Sequence, residues 1–383
     1  MKKSNSILTI ILLFSFLTVY SQDQLTSPFN SDLNKTDVKT VLKAVADWQV
    51  KTPPTHHLAD WTNGALYAGM ADWAAIAGDD TYYNWLRDIG EKLSWNYYIH
   101  KNDSSRKYHA DDYCVGQFYI ELYRKYHDMI MIKPMRAYLD QIRKDPAKGD
   151  LKFVNTKGYW RTERWSWCDA LFMAPTVWAK MANVTQKKKY LNFMFQEYKA
   201  TTDYLYDKDE DLYFRDSGYF TRKEANGAKV FWGRGNGWVF AGLPIIIREL
   251  PAKYENKEYF VTIYKEMAVK LLSLQQPDGS WHASLLDPAS YPNPEMSATA
   301  FFVFGLAWGI ENGYLEKEKY LPAVVNGWKT MVSAVWPDGK VGFIQPIGAD
   351  PKAVTREMTE VYGVGGFLMA GTQIYKMIEK GIF

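Results

Sequence analysis

Apolar positions along this chain recur with the period of a helix almost from end to end. Val38, Val41, Leu42, Val45 and Trp48 fall three and four residues apart, which puts them on one face of a helix over about 36–50. The same spacing predicts helices near 62–77, 80–95, 112–127, 133–145, 166–182, 187–205, 235–249, 256–275, 295–312, 318–335 and 359–379. Alternating, β-branched signals are sparse. They are confined to Gly158-Tyr159-Trp160, Asp211-Leu212-Tyr213-Phe214 and Lys229-Val230-Phe231-Trp232. Between the helices stand turn sequences such as Gln276-Pro277-Asp278-Gly279 and Trp336-Pro337-Asp338-Gly339.

Twelve helices in sequential pairs predict an all-α protein, a closed toroid of six helical hairpins known as an (α/α)6 barrel. Several segments suit an inner ring because they are rich in small residues that allow close approach, as in Gly64-Ala65-Leu66-Tyr67-Ala68-Gly69. A superhelix of stacked helix pairs is the competing architecture, but no repeating consensus is present. No Ser/Gly- or Pro-rich linker divides the chain, so a single domain is expected over 22–383.

The first residues read differently. Met1-Lys2-Lys3 precedes an apolar run from Ile7 to Tyr20, and the chain turns polar at Ser21. A basic start followed by an apolar stretch too short to span a bilayer comfortably is the pattern of a secretory signal peptide over 1–21. The mature chain is therefore expected to be exported, into the periplasm of a Gram-negative bacterium, without membrane insertion. Charge is nearly balanced at +3, which argues against a nucleic-acid partner. Aromatic residues make up 16% of the chain, and Trp and Tyr are the side chains that stack on sugar rings. The two cysteines, Cys114 and Cys168, exclude a disulfide scaffold and read as buried thiols, with one bridge as the alternative. The six histidines show no metal-ligand spacing, so neither a metal nor any other cofactor is expected.

Candidate chemistry gathers at three places, each just before or inside the start of an inner-type helix. Asp169 lies in the aromatic, nearly uncharged run Trp165-Ser166-Trp167-Cys168-Asp169-Ala170-Leu171-Phe172-Met173. A carboxyl set among indoles and aliphatics tends to keep its proton, which general acid catalysis requires. The bland alternative is a helix cap or a partner for Arg161 or Arg164. The second place is His109-Ala110-Asp111-Asp112-Tyr113, after the polar loop Lys101 to Lys107. One aspartate there has the explanation of a helix cap; the adjacent pair is less easily explained that way. Two carboxyls on one rim have the layout of glycoside hydrolysis. The third is Phe231-Trp232-Gly233-Arg234-Gly235-Asn236-Gly237-Trp238, where an arginine stacked on or beside Trp238 at a helix start suits a carboxylate on a sugar. The bland alternative is an arginine that satisfies the ends of neighbouring helices. Two weaker pieces complete the set. Asp60-Trp61-Thr62-Asn63 is read first as a plain N-cap, with Asn63 a candidate polar contact, and Glu295 is read as a stabiliser of a helix end.

Together these segments, with Tyr362-Gly363-Val364-Gly365-Gly366-Phe367, resemble the unsaturated rhamnogalacturonyl hydrolases of glycoside hydrolase family 105, relatives of the family 88 unsaturated glucuronyl hydrolases. The resemblance spans about Asp37 to Glu379. It implies that Asp169 is the general acid/base and Asp111 the second essential carboxylate, with Asp112 as rival. It further implies that Arg234 and Trp238 contact the substrate. Trp232, Trp167, His109, Asp112, Asn63 and Arg215 are the further candidate substrate contacts in these segments. Where family members often carry a histidine after an aromatic, this chain reads Phe214-Arg215, so the sugar contact there is expected to differ. The implied substrate is an oligosaccharide ending in a 4,5-unsaturated uronic acid, and the implied reaction is hydration of that double bond. A conventional glycosidase, a polysaccharide lyase using His109 as base, and a non-catalytic sugar-binding protein are the alternatives.

Overall fold

The computed structural model describes residues 27–99, 106, 108–156, 159–160 and 163–383. The expected signal peptide, Arg161, Gly158 and most of the polar loop over 101–107 lie outside the described residues.

Helices occupy most of the expected places: α1 (Lys35–Lys51), α2 (Trp61–Ala77), α3 (Thr81–Lys92), α4 (Gly116–Tyr126), α5 (Lys133–Lys144), α6 (Ala170–Met173), α7 (Pro175–Thr185), α8 (Lys188–Leu205), α9 (Gly233–Glu249), α10 (Lys257–Ser273), α11 (Met296–Glu311), α12 (Lys317–Ser333) and α13 (Val361–Glu379). The helix expected over 112–127 is split. A 3-10 turn spans Ala110–Tyr113, and α4 begins only at Gly116. The one expected over 166–182 starts late and is broken between α6 and α7 at Ala174, because Pro175 has no N–H to continue the ladder. Counting α6 and α7 as one interrupted helix leaves twelve among the described residues.

Two short antiparallel pairs, β1 (Asn155–Thr156) with β2 (Tyr159–Trp160) and β3 (Tyr206–Asp207) with β4 (Leu212–Tyr213), account for part of the strand-like sequence. Gly279 and Gly339, each the last residue of an expected turn, sit at φ of +86° and +98°, a conformation that favours glycine.

Burial separates two sets of helices. In α11 every residue from Met296 to Ile310 is buried, whereas α5 buries only Met135, Tyr138, Leu139 and Ile142 along one stripe. Helices α2, α4, α6–α7, α9, α11 and α13 pack each against the next, and α13 closes on α2. The outer helices back them: α1 lies on α13 and α2, α3 on α2 and α4, α8 on α7, α10 on α9, and α12 on α11. This is the (α/α)6 barrel expected. Inner and outer helices alternate along the chain, so the inner ones all run the same way and present their amino-terminal ends at one rim. Among the described residues no helix is long and apolar enough to cross a membrane.

Ring closure depends on two glycines. A Cβ on Gly69 of α2 would lie 2.0 Å from the Gly365 carbonyl oxygen of α13, and one on Gly365 would lie 2.3 Å from that of Ala65. The neighbours here are backbone, which has no rotamer to yield. Gly69→Ala is expected to lower stability by roughly 1–3 kcal/mol, read as a lower urea midpoint; an unchanged midpoint would show that the seam tolerates spreading.

Candidate active site

Asp169 owes its place to a short backbone zipper rather than to a long helix. The Cys168 N–H donates to the Arg215 carbonyl at 2.8 Å, and Trp167 forms an antiparallel bridge with Asp216. The chain then turns into α6, with Asp169 as the residue before it, in right-handed helical conformation and making no capping bond. The cap reading is thereby set aside. The residue is buried at 8% exposure. Arg215 Nε stands 3.7 Å from Oδ2, and the Cys168 thiol reaches the same oxygen at 3.4 Å. Burial raises the Asp169 carboxyl above the usual carboxylate range, opposed by the charges of Arg215 and Arg234. Arg164, the other pairing alternative, holds Glu197 instead.

The two adjacent aspartates have different surroundings. Asp112 is buried and accepts from Arg106 Nε at 3.1 Å and from the same guanidinium's Nη2. Asp111 takes no side-chain hydrogen bond from the described residues; His109 Nδ1, which accepts the Asp111 N–H at 3.3 Å, is 3.7 Å from its Oδ2. Burial pushes the Asp111 carboxyl well up, Arg106 opposes, and the negative charges of Asp112, Asp169 and Asp60 add to the rise. Asp111 and Asp169 are thus close enough to repel. The His109 ring packs on Trp167 at 4.9 Å, which joins the two acidic segments.

Arg234, in the first turn of α9, is fully buried. Its Nη1 donates to the Gln345 carbonyl at 2.6 Å and its Nη2 to that of Pro346 at 2.9 Å. The guanidinium lies between Trp232, at 4.4 Å, and Tyr362, at 4.8 Å, not against Trp238 as expected. Trp238 instead packs with Phe172, Phe301 and Trp61. No carboxylate of the described residues lies within ion-pair distance of Arg234, and its Nε is buried without a hydrogen-bond partner.

Glu295 explains how the carbonyls facing Arg234 are held. It caps α11 by accepting the N–H groups of Ser297 and Ala298, and it also accepts Gln345 N–H at 3.0 Å. Glu295 is the helix stabiliser expected, and it anchors the loop that binds Arg234. Gln345 also accepts the Trp232 indole N–H at 3.0 Å.

Asn63 does not present its amide to the rim. It is fully buried, and Nδ2 donates to the His57 carbonyl at 2.9 Å, tying the preceding loop to α2, while Asp60 caps that helix through Thr62. Arg215 points at Asp169 and Asp216. Gln345, Tyr362, Trp61 and Asp216 were not singled out by sequence. Tyr362 stacks on Trp61 at 5.3 Å, and its own segment carried a signal that pointed to the family rather than to a role. Cys114 and Cys168 are buried and unbridged, and among the described residues no group of three acidic, histidine or cysteine side chains could hold a metal ion.

The profile described as Glycosyl Hydrolase Family 88 matches residues 33–378. The chain belongs to this family. Two family relatives, both named unsaturated 3S-rhamnoglycuronyl hydrolase, come from Alteromonas sp. (strain LOR) and Formosa agariphila. The first is 35% identical over 356 residues, 88% of this chain and 85% of the relative. The second is 36% identical over 360 residues, 91% of this chain and 93% of the relative. A solved structure described as a polysaccharide lyase superposes with a TM-score of 0.82 at 29% identity, covering 90% of this chain and 98% of that one. Membership of family 88 makes the protein a glycoside hydrolase and places the barrel among those of its family.

A buried carboxyl with a raised pKa destabilises the folded state wherever it must ionise. The Asp111 penalty is therefore present near neutral pH and disappears below the unfolded carboxyl range of about 4. Asp111→Asn is expected to melt at higher temperature than wild type at pH 7 and at the same temperature near pH 3. A variant that melts lower at pH 7 would show that Asp111 is held by interactions that favour its charge.

Proposed function

We propose that this enzyme removes a 4,5-unsaturated uronic acid from the non-reducing end of lyase-generated oligosaccharides by hydrating the C4=C5 bond. The observation that carries the reading is the pairing of a buried carboxyl, Asp169, raised above the usual range by its burial, with a buried arginine, Arg234, that has no acidic partner among the described residues. The first supplies a proton; the second suits the uronate carboxylate.

The double bond of such a sugar is conjugated to the ring oxygen, so protonation at C4 places positive charge on C5 and that oxygen. Asp169 delivers the proton. Water held by Asp111 adds at C5, and the Asp169 carboxylate left by the first step takes up the proton that the water gives up. The resulting hemiketal opens to a ketone, which exposes an aldehyde-level C1 and releases the neighbouring sugar. One water is consumed, and no electrons leave the substrate. Asp112, paired with Arg106, fixes the turn that carries Asp111. Trp167, Trp232, Trp238 and His109 shape the aromatic wall around these groups.

The name shared by the Alteromonas and Formosa relatives favours an unsaturated uronate linked to a rhamnose as the substrate. The amino-terminal pattern over 1–21 supports action outside the cytoplasm, in the periplasm, where fragments of an extracellular polymer arrive. A second reading draws on the lyase-described structure and on His109 beside the acidic pair. A lyase abstracts the C5 proton and creates the double bond, the reverse sign of change.

Ultraviolet absorbance of the conjugated bond separates the readings. The enzyme is expected to abolish the absorbance of unsaturated uronyl-rhamnose disaccharides, and Asp169→Asn to slow that loss by about 10²–10⁴-fold. A gain of absorbance on intact polymer, or full activity in Asp169→Asn, would contradict the proposal.

A further inference from the structure

We infer that Arg215 and Asp216 form a positioning pair for Asp169, one that fixes which carboxyl oxygen faces the substrate and limits the positive charge felt by the proton it carries. The inference rests on the reading of Asp169 as proton donor.

Three observations support it. The first is register. The Cys168 N–H to Arg215 carbonyl bond and the Trp167–Asp216 bridge set the segment 214–216 directly alongside the residues that precede Asp169. Arg215 cannot drift relative to Asp169 without breaking that zipper. The second is orientation. Both the Arg215 Nε, at 3.7 Å, and the Cys168 thiol, at 3.4 Å, meet Oδ2 of Asp169. Oδ2 therefore faces the protein, and Oδ1 is the oxygen left for a substrate.

The third is the charge arrangement. Arg215 Nη1 donates to Asp216 Oδ2 at 2.6 Å, whereas its Nε, buried, makes no hydrogen bond to Asp169. Asp216 is buried and held at its other oxygen by the Gly218 N–H at 2.7 Å. The guanidinium also lies on the Phe153 ring at 4.8 Å, and the Phe153 N–H donates to the Ser217 hydroxyl at 3.0 Å. The pair is thus built as a unit. Its cation is bonded to Asp216 and only approaches Asp169.

A full, unopposed positive charge at this distance would favour loss of the Asp169 proton. Asp216, bonded to the same guanidinium, sets a negative charge against that field. The other groups facing Asp169 are Arg234 from α9, Asp111 and His109 from the segment around the 3-10 turn, and Cys168 on its own segment. All remain in place when Arg215 or Asp216 is altered, so the two changes act in opposite senses. Asp216→Asn leaves Arg215 unopposed and loosens the proton. Arg215→Gln leaves Asp169 beside two carboxylates and tightens it.

The test is the pH dependence of kcat/KM for loss of ultraviolet absorbance on an unsaturated uronyl-rhamnose disaccharide, with folding checked by circular dichroism. Because Asp169 must be protonated to act, its titration forms the alkaline limb. Asp216→Asn is expected to move that limb down by about one pH unit, and Arg215→Gln to move it up by a similar amount. Arg215→Lys, which keeps the charge, is expected to restore most of the wild-type profile. Limbs that coincide with wild type, or that move in the same direction, overturn the inference. Should Arg215→Gln not fold, the downward shift in Asp216→Asn and the rescue by lysine decide it. If the wild-type enzyme does not consume the double bond at all, the reading of Asp169 fails first and the inference falls with it.

Discussion

Asp169 is buried and Asp111 largely so at one rim of a ring of apolar helices, and neither is given the donors that make ionisation comfortable. Other buried carboxylates in the same region are treated differently. Glu295 accepts the N–H groups of Ser297, Ala298 and Gln345, Asp112 takes a guanidinium from Arg106, and Asp216 takes Arg215 and the Gly218 N–H. Each of those groups is satisfied and carries structure. The contrast follows from the cost of removing a charge from water, which a protein offsets with hydrogen bonds wherever the charge serves only the fold. A carboxyl denied that compensation holds its proton longer, and two of them repel when both ionise.

The barrel makes this imbalance affordable. Six inner helices packed side by side exclude water along their length, and because they run in parallel, each contributes its amino-terminal end to one rim. Positions that are far apart in sequence therefore meet: residues 109–112, 167–169, 215–216, 232–238 and 345. Arg234 completes the arrangement from the opposite sign. Its fork is fastened to two carbonyls and its faces to Trp232 and Tyr362, so the cation is fixed in place while its charge stays unneutralised. Under the proposed reading, Arg234 meets the carboxylate of the sugar and Asp169 supplies the proton.

Much of this was legible in the sequence. The helical period named twelve elements and the ring they build, since apolar spacing is a local property. The aromatic run around Asp169 announced a buried carboxyl for the same reason. What remained hidden was non-local. Asp111 and Asp112 are adjacent in sequence, and only the placement of Arg106 distinguishes them. The partners of Arg234 come from residues more than a hundred positions later, and Trp238, nearer in sequence, is not one of them. Asn63 looked available because it sits in a helix start, yet its amide is turned to the His57 carbonyl. The two broken helices also escaped, at a proline whose effect depends on how much helix precedes it and at a 3-10 turn that periodicity does not separate from a helix.

The central claim is that the proton goes to carbon, not to the glycosidic oxygen. Turnover of an unsaturated uronyl-rhamnose disaccharide in deuterated, oxygen-18-labelled water, followed by NMR and mass spectrometry of the released uronate product, tests it directly. Hydration of the double bond predicts deuterium at C4 and labelled oxygen at C5. A product that keeps its double bond, carries no deuterium at C4 and takes its labelled oxygen at C1 would contradict the account.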